Sequence, residues 1–133
     1  MLGRTLMATL VAVLTGLLPA LPAVAAADAL GHTAVRDRTL RPGCHDYRYR
    51  YVVKAPTDDW TLETFLIDPR GDGLGSGSFM SESDPRRGRP AFRICRAATR
   101  PGRFTIRAKL IWYDGSQANP VKFTATHFRL RRL

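Results

Sequence analysis

The sequence predicts an all-β fold, an antiparallel β-sandwich of about six or seven strands with one disulfide. Three observations carry that expectation. After residue 46, apolar residues recur at every second position, which is the strand period rather than the helical one. Clusters of Gly, Pro and Asp separate the alternating runs and supply the turns. The two cysteines, Cys44 and Cys95, both follow an export-type leader, and an even pair in an exported chain reads as a disulfide.

The leader comes first. Arg4 is the only charge before Asp28, and the apolar run from Leu6 to Leu14 continues through Leu17 and Leu18. Pro19, Pro22 and small residues close it, and Ala23-Val24-Ala25 fits the small-x-small rule of a cleavage site. The expectation is a cleavable signal peptide over residues 1–25 and a single secreted domain over residues 26–133. A membrane anchor would stay leucine-rich to its end, which this segment does not. No span is expected after cleavage.

Within the domain, a short strand is expected near Ala34–Leu40. Tyr47-Arg48-Tyr49-Arg50-Tyr51 then alternates strictly and runs on to Val53, ending before Pro56. A second strand covers Trp60–Ile67, with Trp60, Leu62 and Leu66 on one face. Asp68-Pro69-Arg70-Gly71 turns the chain, Pro fixing φ at the second position. Gly71–Ser78 reads as a flexible loop leading to a short edge strand at Phe79 and Met80. Residues 81–90 read as an exposed polar loop carrying Arg86-Arg87-Gly88. Strand character resumes over Ala91–Arg96. The clearest strand follows, with Phe104, Ile106, Ala108, Leu110 and Trp112 on one face and Thr105, Arg107, Lys109, Ile111 and Tyr113 on the other. Asp114-Gly115 opens a hairpin. The returning strand over residues 121–130 changes apolar parity after Ala125, so a bulge is expected near Thr126-His127. No helix is expected in the domain.

Two stretches carry a resemblance. Leu66-Ile67-Asp68-Pro69-Arg70-Gly71 and Pro101-Gly102-Arg103-Phe104-Thr105-Ile106 are similar to strand-and-turn segments of bacterial immunoglobulin-like sandwich modules and of β-sandwich domains appended to secreted enzymes. The resemblance implies the fold, and adhesion or assembly rather than chemistry. Arg93 stands where an immunoglobulin domain has tyrosine two residues before its second cysteine, and Cys44 follows Pro42-Gly43 directly. Those departures predict a disulfide that staples a sheet edge, with Trp60 as the core tryptophan.

Catalysis and metal binding have little to stand on. His32, His45 and His127 are widely spaced, no nucleophile elbow is present, and the disulfide consumes both thiols. No cofactor and no catalytic residue is expected. Asp68 and Asp72 lack the calcium-loop spacing and read as part of a solvated turn. The formal net charge of +10 is the remaining signal; removing Arg4 with the leader leaves +9. Such a balance attracts anionic surfaces, although 18 Arg against 3 Lys also fits plain compositional bias. The candidate anion-binding residues are Arg48, Arg50, Arg107 and Lys109, which form one cationic face provided that their strands adjoin. The expected function is a secreted, non-enzymatic module that binds or coats at the cell envelope, with an anionic polymer or a protein as partner and no specific nucleic acid. The alternative is a protease inhibitor presenting Arg86-Arg87-Gly88, or a small-molecule carrier.

Overall fold

Alternation from Tyr47 to Val53 buries Tyr47, Tyr49, Tyr51 and Val53 and leaves Arg48 and Arg50 exposed, so one line of chain has an apolar and a charged side. In the computed structural model, which describes Gly16, Leu18, Pro19 and residues 23–133, that line is the middle of one layer. It consists of β3 (Cys44–Arg48) and β4 (Arg50–Val53), flanked by the earlier strands β1 (Gly31–Ala34) and β2 (Arg38–Thr39) in sequence. Next come β5 (Trp60–Ile67), β6 (Gly73–Met80), β7 (Arg87–Gly88) and β8 (Ala91–Cys95). Last are β9 (Gly102–Asp114), β10 (Gln117–Lys122) and β11 (Thr126–Arg131). The chain is all-β with antiparallel sheets and a Cys44–Cys95 disulfide.

Strands β3 and β4 keep one antiparallel register against β8 and β7, from Cys44 opposite Cys95 to Val52 opposite Arg87. Pro90 lacks an amide hydrogen and splits the ladder, yet its carbonyl still accepts from Tyr49 N–H at 3.0 Å. With β1 antiparallel to β4, these strands form the first layer. The second layer has the order β2-β11-β9-β5-β6, with β10 also on β9 and β2 parallel to β11. Tyr47, Tyr49, Phe92 and Ile94 of the first layer share a buried cluster with Leu66, Phe104, Ile106, Phe128 and Leu130 of the second. Tyr51 and Val53 join Trp60, Leu62, Leu110 and Phe123 in another. The Tyr49 hydroxyl lies 2.8 Å from Thr64 Oγ1 across the gap, and burial pushes that tyrosine above its usual range despite the bond.

Several expectations change. The Gly71–Ser78 stretch is not a flexible loop: β6 pairs with β5 along its length. Gly77 is a packing position, since a Cβ there would stand 2.8 Å from Thr64 Oγ1 and 3.0 Å from the Tyr49 hydroxyl. Residues 81–90 are not a free loop either, as β7 interrupts them and Arg86 is anchored. Asp68 is buried rather than solvated. A helix, α1 (Ala23–Leu30), precedes β1; its alanines are the strongest helix formers, and Leu30 packs on the core. Gly31 ends it at φ +143, where a Cβ would run into the Val52 carbonyl and the Phe123 ring.

The expected bulge is present, slightly earlier than placed. Lys122 faces Lys109 and Thr126 faces Ile106, so four steps on one strand match three on the other. The expected leader falls mostly outside the described residues, and its expected cleavage point lies within α1. Among the described residues, no helix is long and apolar enough to cross a membrane.

Candidate functional site: an arginine groove on the first layer

Side chains that alternate with the buried tyrosines point away from the core, on the outer face of the first layer. There Arg48 and Arg50 are exposed on the central line. The unbroken register that sets Arg48 opposite Ala91 and Val52 opposite Arg87 sets Arg50 opposite Arg89. Like charges directly opposed across an antiparallel pair cost stability. Two depressions flank this spot. One, of about 330 Å³, is lined by Ala34, Val35, Arg36, Arg38, Arg48, Tyr49, Arg50 and Arg89. The other, of about 490 Å³, is lined by His32, Ala34, Arg50, Tyr51, Val52, Arg87, Gly88 and Arg89. They share Ala34, Arg50 and Arg89, so they form one groove.

Six arginines therefore line the groove, and no acidic side chain does. The ion pairs among the described residues lie elsewhere: Arg86–Asp58 at 2.9 Å, Arg93–Asp46 at 3.4 Å and Arg131–Asp37 at 3.3 Å. Arg48 donates to the Arg89 carbonyl at 3.0 Å, which lays its stem across the sheet. Guanidinium forks grouped this way match oxyanions, which they bind bidentately.

The four candidates do not converge. Arg107 and Lys109 belong to β9 in the second layer, whose inner residues Ile106, Ala108 and Leu110 are buried in the shared core. They project from the opposite outer face, so the single cationic face expected from sequence does not form. Their surroundings differ too, with Glu63 opposite Lys109 and Phe65 opposite Arg107. All four project away from the core, but their strands lie in different layers, because a strand's layer depends on long-range pairing that parity does not encode.

Sequence reasoning missed Arg36, Arg38, Arg87 and Arg89, although a signal for them was present. The groove consists of three arginine-x-arginine doublets: Arg36-Asp37-Arg38, Arg48-Tyr49-Arg50 and Arg87-Gly88-Arg89. Spacing of two puts both members of a doublet on one side of an extended chain. A fourth doublet, Arg129-Leu130-Arg131, lies in the second layer and meets Asp37. That carboxylate accepts from the Arg129 amide at 2.8 Å and from the Arg131 guanidinium at 3.3 Å.

Other candidate positions resolve simply. Cys44 and Cys95 are bonded as facing residues of neighbouring strands at one end of the first layer. Trp60 is buried in the cluster that holds Tyr51 and Val53, in a different cluster from the Cys95 neighbours Phe92 and Ile94. His127 contacts Thr105 at 2.9 Å. Arg86 donates to the carbonyls of Ala55 at 3.0 Å and Thr57 at 2.8 Å, so the segment that holds Arg86-Arg87-Gly88 is anchored. Compared with known families, the chain matches no family model, and no curated protein is significantly similar to it.

Proposed function

We propose that the chain is an exported, non-enzymatic immunoglobulin-like β module that binds an anionic partner at the cell envelope through the arginine groove. One observation carries the reading: six exposed arginines from three separate segments line one groove, with no acidic side chain in its lining. Outside the groove Arg86, Arg93 and Arg131 pair with carboxylates, whereas among the described residues no arginine of the groove forms an ion pair. Keeping Arg50 opposite Arg89 costs stability, and an anionic ligand recovers that cost on binding. The module reading is supported by two mainly antiparallel layers packed through shared buried clusters, and export by the leader pattern and the disulfide.

Retention on a polyphosphate-coated resin tests the function. A variant with Arg48→Gln, Arg50→Gln and Arg89→Gln is expected to elute at clearly lower salt than the parent. Its plot of log affinity against log salt should be shallower by about two to three, since each lost contact removes a released counterion. Arg107→Gln with Lys109→Gln removes two charges from the other face and should leave the slope unchanged. Equal weakening by both variants means that net charge alone drives retention, and the groove is then no site.

A further inference from the structure

One wall of the groove is an open strand edge. β1 pairs with β4 as far as Ala34 opposite Arg50, and the same register continued would set Arg36 opposite Arg48. Instead the chain leaves the first layer after Ala34 to form β2 on the second. Arg36 and Arg48 both line the 330 Å³ depression that opens there. Beyond that point β3 has β8 as its strand neighbour on one side and, among the described residues, no strand on the other. The hydrogen-bond phase shows which main-chain groups meet the gap. Tyr49 and Val53 donate toward Pro90 and Arg86, whereas Lys54 donates to Leu30 on the β1 side. Amide and carbonyl of a residue in an antiparallel strand point the same way, so those of Arg48 and Asp46 point toward the side that β1 has vacated.

We propose that this gap accepts an extended acidic segment of a partner protein, added to the β3 edge where β1 stops; the proposal rests on the groove being the binding site. The added segment would bond the Arg48 amide and carbonyl through its own backbone. Its alternate carboxylates would lie between Arg48 and Arg50 on one side and Arg36 and Arg38 on the other. A strand edge offers donors and acceptors in alternation, and a peptide backbone answers both. A phosphate polymer presents acceptors alone; it would meet the guanidiniums and leave the Arg48 carbonyl without a donor. The acidic stretch is short, because Asp46, paired with Arg93, follows next along the edge.

The test uses an alternating threonine–glutamate octapeptide, two forms of it N-methylated on one or the other set of alternate residues, and tripolyphosphate. The parent peptide is expected to bind, and the form methylated on the pairing residues to bind at least about tenfold more weakly. Amide exchange at Asp46 and Arg48 should slow with the parent peptide and stay unchanged with tripolyphosphate. Equal binding of all three peptides, with exchange unaltered, overturns strand addition. If tripolyphosphate then still binds in a manner dependent on Arg48, Arg50 and Arg89, the groove reading stands and its ligand is a polymer. Failure of every probe to bind at low salt rejects both.

Discussion

Asp68 shows how one carboxylate organises a turn. Burial pushes its carboxyl upward, but hydrogen bonds from the Asp72 amide, the Thr99 hydroxyl and the Arg70 amide outweigh that and hold it below its ordinary value. A carboxyl depressed in the folded state stabilises at pH above its unfolded value, and that contribution disappears as pH falls through the folded one. Asp68→Asn is therefore expected to cost about 1–3 kcal/mol near pH 7. The gap between variant and parent should narrow as pH drops below about 4. Urea unfolding at pH 7, 4 and 3 measures it; a gap that stays constant over this range removes the charge from the explanation. The Asp-Pro-Arg-Gly turn was legible in the sequence, whereas the anchoring of its first residue was not. Thr99 reaches Asp68 from 31 positions away, and no local pattern announces such a partner.

The segment that joins β6 to β8 was the least legible element. Ser, Asp, Pro, Arg and Gly in residues 81–90 have the composition of a loop, yet the segment is tied at both ends. Asp84 accepts from the Met80 amide at 2.9 Å, and the Tyr51 hydroxyl donates to the Pro85 carbonyl at 2.8 Å. Arg86 bonds two carbonyls while its own carbonyl accepts from Val53 N–H at 2.7 Å. These carbonyl contacts matter more than the Arg86–Asp58 ion pair, because Asp58 is fully exposed. Native protein should accordingly resist trypsin after Arg86 and Arg87 under conditions that digest the unfolded chain. Arg86→Ala frees the turn, and cleavage after Arg87 is expected to accelerate by about tenfold or more. Peptide mapping over a digestion series reads both; rapid cutting of the parent at either site contradicts the anchoring. By contrast, β9 was legible residue by residue. Five inward apolar side chains at spacing two specify a strand wherever it pairs.

At the scale of the molecule, the sequence announced β structure, the disulfide and the bulge, since all three follow from local spacing or from cysteine parity. It did not announce how the strands divide into layers, and the charged face depends on that division. Two doublets of like parity, Arg48 with Arg50 and Arg107 with Lys109, look equivalent in one dimension and end on opposite sides of the molecule. The disulfide closes a loop of sequence separation 51, so in the chain-entropy account its removal costs about 4 kcal/mol. Cys44→Ser with Cys95→Ser should shift the urea midpoint by a corresponding amount with a similar slope. A loss well under about 1 kcal/mol would show that hydrogen bonding alone holds that end of the first layer.

The position of that bond has a further consequence for the groove. Strand pairing tolerates slippage in principle, and a slip of one residue would turn every arginine of a doublet inward and every tyrosine outward. Cys44 and Cys95 can bond only when they stand opposite each other, and the ladder runs from them without a shift to Val52 and Arg87. Oxidation therefore acts as an origin mark for the whole first layer. Once it is set, Arg50 and Arg89 are committed to the same outer spot, at a distance from the bond itself. The covalent link that stabilises one end of the domain also works as an alignment pin for the charged surface at the other.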